Sequence, residues 1–237
     1  MSAPVLDPPD TAADIEVWAP TATSVTMVIG GGPVLADESE SPENPENSDE
    51  VEYQLVTHPT AGGWWRPAPT SAAALTSVSA PARYRFRVDG RDPVPDPRAV
   101  RLPDGVHAAA ALHRLDDSVW TDHGWTGMDV RGAVLYELHI GTFTPGGTFE
   151  SAIERLPHLV ELGVDAVEVM PVNAFNGTYG WGYDGVAWYA VHEPYGGPDG
   201  FARFVDACHV HGLAVVLDVV YNHLGPSGNY LPEFGPY

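Results

Sequence analysis

Up to residue 125, apolar positions come in short bursts separated by turn residues. In "IEVWAP", Ile15 and Val17 alternate with Glu16 and Trp18. "SVTMVIG" (Ser24 to Gly30) and "VEYQLV" (Val51 to Val56) follow, and "ARYRFRVDG" (Ala82 to Gly90) sets Tyr84, Phe86 and Val88 against Arg83, Arg85 and Arg87. A period of two predicts strands with one wet face, and "VDGRD" supplies a turn after the last of them. Short strands at this spacing imply a β-sandwich. "DPVPDPRAVRLPDGVH" (Asp92 to His107) reads as an extended, proline-rich segment.

After residue 125 the rhythm changes. "AVLYELHI" (Ala133 to Ile140), "VDAVEVMPV" (Val164 to Val172) and "LAVVLDVV" (Leu213 to Val220) are near-continuous apolar runs, read as strands. Two amphipathic stretches lie between them. "TFESAIERLPHLVELG" predicts a helix with Thr148 as N-cap, Gly163 past its end, and Phe149, Ile153, Leu156, Leu159 and Val160 on the inner face. Pro157 is expected to bend it or to remove one backbone hydrogen bond. "GPDGFARFVDACHVHG" predicts a second helix ending at Gly212, with Phe201, Phe204, Val205 and Cys208 aligned. Alternation of apolar strands with helices indicates a parallel sheet covered on its faces.

Charge narrows the function classes. Net charge is −21, from 32 acidic and 11 basic residues, and every basic residue is Arg. Such a chain repels nucleic acid and anionic membrane surfaces, so neither is an expected partner. The acidic insert at 37–50 contains almost no apolar residue and is expected to form a mobile hairpin loop. A single cysteine, Cys208, suits a reducing compartment. The start "MSAPVLDPPDTAAD" lacks a basic, apolar leader, and no apolar run reaches the ~18 residues of a membrane span. A cytoplasmic protein is expected, and its oligomeric state is left open.

In parallel α/β folds, functional groups gather at the C-terminal ends of strands. Asp218, Asn222 and His223 follow the third strand in "LDVVYNHLGPSGNY". The loop after the second strand carries Tyr179, Trp181, Tyr183, Trp188 and Tyr189. Aromatic faces suit sugar rings, and carboxylates, amides and imidazoles suit their hydroxyls. Each residue has a structural alternative: Asp218 as a turn cap, His223 as a satisfied histidine, Trp181 and Tyr183 as packing. "GGWW" (Gly62 to Trp65) is read as packing in preference to a sugar platform. Glu137, His139 and Glu168 are charged groups in apolar runs and are expected to face a barrel lumen or a partner, as supporting or structural groups, since an unpaired buried charge is costly.

"DVVYNH" and "GYDGVAWY", in this order and on these elements, resemble the α-amylase superfamily of glycoside hydrolases. "YELHIGTFTPGGTFESAIERL", "LGVDAVEVMPV" and "LDVVYNHLGPSGNYLPEFGPY" are similar to its subfamily that releases trehalose from maltooligosyltrehalose. "VWAP", "GGWWR" and "YRFRVDG" resemble that subfamily's sandwich.

The resemblance implies an immunoglobulin-like, early-set sandwich at 1–125. It implies the first part of an α/β (β/α)8 TIM barrel at 126–237, ending after the third strand. The implied substrate is a maltooligosaccharide ending in trehalose. Tyr183, His223 and Trp181 are implied as substrate-binding and Asp218 and Asn222 as active-site support, with no metal and no cofactor. The nucleophile and acid/base of such hydrolases follow the fourth and fifth strands. None is therefore expected in this chain, which reads as a fragment inactive by itself. A fragment of a glycogen branching enzyme and a non-catalytic glucan-binding module are the alternatives.

Overall fold

The computed structural model describes residues 9–30 and 50–237. The insert expected to be mobile lies, apart from Glu50, outside the described residues. The chain divides into two compact units: Met1–Arg114 with Asn229–Tyr237, and Leu115–Gly228. This differs in two ways from the boundary that the change of period puts at residue 125. Leu115 onward joins the second unit, where Thr121 and Asp122 donate backbone N–H groups to the Asp206 carboxylate at 2.6 and 3.1 Å. The closing segment joins the first unit, because Leu231 and Phe234 bury their side chains there.

In the first unit, strands β1 (Val17–Trp18), β2 (Val25–Ile29), β3 (Val51–Thr57), β4 (Trp64–Pro67), β5 (Arg83–Val88) and β6 (Ala110–Ala111) form one antiparallel sheet, in the order β1-β4-β3-β2-β5-β6. A helical turn, α1 (Ala72–Thr76), links β4 to β5. The alternation in β5 holds. Tyr84, Phe86 and Val88 are buried, while the arginines pair outside: Arg83 with Asp104 at 3.0 Å, Arg85 with Glu50, and Arg87 with Glu52 at 3.0 Å. The "GGWW" stretch enters β4 and packs: Trp65 is buried and its Nε1 donates to the Ala19 carbonyl at 2.9 Å. The extended segment after β5 buries Asp96, which accepts from Tyr84 Oη at 2.7 Å and from the Arg98 N–H at 2.8 Å. Burial raises the Asp96 pKa above the ordinary value.

The second unit contains a three-stranded parallel sheet of β7 (Leu135–Leu138), β8 (Ala166–Val169) and β11 (Ala214–Leu217), with β8 in the middle. Helices α2 (Ile140–Phe143), α3 (Phe149–Ile153) and α4 (Leu156–Glu161) follow β7. After β8 come a hairpin of β9 (Asn173–Ala174) with β10 (Ala187–Val191) and then α5 (Gly197–Val210). The helix read over 148–163 is two helices. Pro157 has no N–H for the Ile153 carbonyl, and the chain restarts as α4 with Pro157 in its first turn, where a missing donor costs nothing. Thr148 caps α3 as read, sharing a capping box with Ser151. Val160 is 43% exposed, not on the inner face. The α5 terminus matches the reading: Gly212 takes φ 76°, and Gly212 and Leu213 N–H groups donate to the His209 and Cys208 carbonyls.

The core of this unit joins Leu138, Val167 and Val169 of the sheet to Phe149, Leu156, Leu159, Phe204 and Cys208 of the helices. Burial pushes the Cys208 thiol up to about 12, so the sulfur acts as a small apolar group. His192 lies in the same core, its ring 3.7 Å from that of Phe175 and 4.8 Å from that of Tyr195. Its Nε2 finds no hydrogen-bond partner, and desolvation pulls its pKa down to about 4.

Two stability experiments follow from this packing. Phe234 is 1% exposed and meets Phe86 edge-on at 6.1 Å. Phe234→Ala is expected to cost about 3–5 kcal/mol, whereas Tyr237→Ala, at a half-exposed ring, costs far less; urea unfolding of both variants checks the contrast. For His192, the unfolded ring takes a proton near 6.5 and the folded ring only near 4. The unfolded state therefore binds more protons between these values, and stability falls as pH drops from 6.5 to 4. His192→Phe keeps the stack and removes the proton site. Its unfolding midpoint should fall less over that window than the wild type's, and parallel curves would refute a neutral buried imidazole as the cause.

Candidate functional site

The register sets Leu138, Val169 and Leu217 in one row, so the three parallel strands end level. His139, Met170 and Asp218 are the next residues, and the loops that follow emerge at one end of the sheet. Glu137, Glu168 and Val216 share the sheet face opposite the helices. On that face Glu137 is exposed and Glu168 half-buried.

The loop after β11 packs on the aromatic loop after β8. Asn176 Nδ2 donates to Ser227 Oγ at 3.1 Å, and Trp188 meets Tyr221 with ring centroids 6.1 Å apart. Gly225 closes the contact: a Cβ there would lie 2.4 Å from the Asp184 carbonyl oxygen, so only glycine lets the two backbones approach. Gly182, at φ 90°, turns the aromatic loop against Pro171, whose Cδ a Cβ would meet at 2.9 Å.

This docking brings Tyr183 and His223 together, their rings 5.6 Å apart at 71°. Tyr183 is 52% exposed and His223 is exposed, so both rings offer faces to solvent instead of filling a core. Asp218 is half-buried and its N–H donates to the Val169 carbonyl at 2.9 Å, extending the ladder by one residue; Asn222 is exposed.

Trp181 belongs to a different part of the loop. It is 78% exposed and lines a cleft of about 460 Å³ with His139, Thr142, Pro145, Gly146, Gly147, Thr178, Tyr179 and Tyr195. His139, read from sequence as internal support, forms the wall of this cleft. Its Nε2 lies 2.8 Å from the Gly180 carbonyl and 3.4 Å from Tyr195 Oη, and its Nδ1 lies 3.3 Å from Thr142 Oγ1. Sequence reasoning missed Thr142 and Tyr195. For Thr142 the available signal was the glycine-rich turn "GTFTPGG" directly after a strand, at the C-terminal end of the sheet; Tyr195, far along the chain, carried none. Among the described residues, no group of three or more His, Cys, Asp or Glu side chains is arranged to hold a metal ion, and no helix is long and apolar enough to cross a membrane.

Comparison with known proteins agrees with this architecture. The chain is 58% identical over 231 residues to a malto-oligosyltrehalose trehalohydrolase of Mycobacterium tuberculosis (strain CDC 1551 / Oshkosh), covering 94% of this chain and 34% of that protein. It is 55% identical over 221 residues to a malto-oligosyltrehalose trehalohydrolase of Arthrobacter ramosus, covering 93% of this chain and 34% of that one. It thus spans about a third of the length of the curated relatives it matches. A crystal structure of a putative alpha amylase from Salmonella typhimurium superposes with a TM-score of 0.78 at 38% identity, over 93% of this chain and 33% of that one. The family described as "Alpha amylase, catalytic domain" matches residues 104–234. That match covers more than half of the chain, takes in all three parallel strands and both loops of the candidate site, and makes this chain a member of the α-amylase family.

Proposed function

We propose that this chain is part of a glycoside hydrolase that cleaves the α-1,4 bond next to the terminal trehalose unit of maltooligosyltrehalose and releases trehalose. The observation that carries the reading is the exposed Tyr183–His223 pair at the ends of parallel strands, in a chain 55–58% identical to proteins that bear the trehalohydrolase name. On this reading the curled antiparallel sheet is an immunoglobulin-like domain. The parallel sheet with its helices is the start of a (β/α)8 barrel. Tyr183 offers a face to the sugar ring at the cleavage subsite, His223 binds its hydroxyls, Trp181 holds a neighbouring unit, and Asp218 and Asn222 support the loop. The enzyme works in the cytoplasm, which fits a lone cysteine that is buried.

The chemistry defines what else is needed. Retaining hydrolysis takes two carboxyl groups about 5–5.5 Å apart, one to attack or stabilise the anomeric carbon and one to protonate the leaving oxygen. Neither Tyr183 nor His223 supplies that pair, and their part is to bind the ring more tightly in its distorted, positively charged transition state than in the ground state. The paired carboxylates are assigned to the fourth and fifth strands of the whole enzyme.

The test is product analysis of the whole enzyme with maltotriosyltrehalose. Free trehalose supports the reading, and new α-1,6 branches would replace it with a branching enzyme. In that enzyme Tyr183→Ala and His223→Ala are each expected to lower kcat/KM by about tenfold or more, one lost transition-state contact being worth at least about 1.4 kcal/mol. Unchanged kinetics in both variants would remove the pair from the site. Residues 1–237 alone are expected to release no trehalose. They remain the right material for measuring sugar binding without turnover.

A further inference from the structure

We infer that His139 is a positioning residue: its Nε2–H, donated to the Gly180 carbonyl, holds the aromatic loop so that the Tyr183 ring keeps its place beside His223. That Tyr183 meets the substrate rests on the function proposed above. His139 acts through the backbone of the loop and not on the sugar.

The imidazole is itself fixed. His139 follows directly on β7, and its carbonyl accepts from the Thr142 and Phe143 N–H groups at 3.0 and 2.9 Å, which ties its backbone to the first turn of α2. The ring is oriented from both ends. A carbonyl oxygen can only accept, so Nε2 is the donor to Gly180, at 2.8 Å. Nδ1 lies 3.3 Å from Thr142 Oγ1. Tyr195 meets the ring edge-on at 6.0 Å. Gly141 lets both rings approach, since a Cβ there would lie 3.0 Å from His139 Cε1 and 3.1 Å from Tyr195 Oη.

The loop needs such a hold at Gly180. Tyr179 and Trp181 are 94% and 78% exposed, so burial of side chains does not fix this stretch and its backbone must be held instead. On one side Gly180 lies against Phe175, whose Cε2 a Cβ would meet at 2.8 Å, and Phe175 is stacked on the buried His192 ring. On the other side is His139. Tyr183 therefore stands between two fixed carbonyls, Gly180 under His139 and Asp184 against Gly225. An exposed ring held in this way loses little entropy when a ligand stacks on it.

The experiment is a double-mutant cycle in the whole enzyme, read as kcat/KM for maltotriosyltrehalose. His139→Ala is expected to lower kcat/KM by about tenfold, because a small misplacement of a binding group costs at least that much. In a Tyr183→Ala background the same change should cost less than about twofold. Equal losses in both backgrounds would overturn the inference, since His139 would then act independently of Tyr183. The amide nitrogen of Gln falls near the place of Nε2 and that of Asn near Nδ1, so His139→Gln should restore most of the activity and His139→Asn should not. If Ala, Gln and Asn lose activity alike, the effect is one of packing and the inference is wrong. A second measurement needs no substrate: amide hydrogen exchange in residues 1–237 should quicken at Trp181 and Gly182 in His139→Ala and stay near the wild-type rate in His139→Gln. Unchanged exchange in His139→Ala would overturn the inference while the proposed function stands. New α-1,6 branches in place of trehalose would remove the proposed function and leave the exchange measurement to decide the role of His139.

Discussion

The parallel register of β7, β8 and β11 is the constraint on which the second unit depends. Leu138, Val169 and Leu217 lie in one row, so three loops leave the sheet at one level. A slip of one residue in any strand would turn its apolar side chains to the other face. The register is secured by burial: Val167 and Val169 are fully buried on the helix side against Phe149, Leu156 and Phe204. Everything chemical in the unit is then a matter of which side chains stand just beyond that row.

Two of the three loops meet because small residues let their backbones touch. Gly225 fits under the Asp184 carbonyl with no room for a side chain, and this approach sets the Tyr183 ring beside His223. The third loop, after β7, reaches the aromatic loop through His139 instead. A single imidazole bridges the Gly180 carbonyl and the Thr142 hydroxyl. The aromatic loop is therefore gripped at two points along its length, and its exposed rings are held in place by backbone and polar contacts without being buried themselves. On the proposed reading, this combination of an exposed ring and a fixed backbone suits these residues to bind a sugar with little loss of entropy.

In the first unit the same sheet shows how far alternation alone carries. The arginines of β5 point outward and pair with Asp104, Glu50 and Glu52, while the intervening Tyr84, Phe86 and Val88 are buried. Tyr84 and Asp96 add a buried polar contact that no periodicity announces. The short strand β6 is likewise invisible in sequence, since two alanines carry no strand signal; it exists because Arg83 and Tyr84 offer it an edge.

The sequence by itself determined the elements that depend on local physics. Period-two alternation marked β2, β3 and β5. Thr148 and Gly212 marked helix ends by capping chemistry, and the run of apolar strands and helices marked a parallel sheet. It also drew attention to Asp218, Asn222 and His223 at the end of an apolar strand and to the aromatic loop that holds Trp181 and Tyr183, while their roles at a sugar site were implied only by the resemblance to the α-amylase superfamily. Only the tertiary structure decided what those residues touch. Tyr183 pairs with His223 across forty positions of chain through a loop–loop contact, and Trp181 turns to a separate cleft with His139 and Thr142. It also decided that Asn229–Tyr237 packs with the first unit, and that Glu137 and Glu168 stand side by side on the sheet face opposite the helices. Contacts of this kind are set by burial and close approach between segments distant in sequence, and no local pattern of residues encodes them.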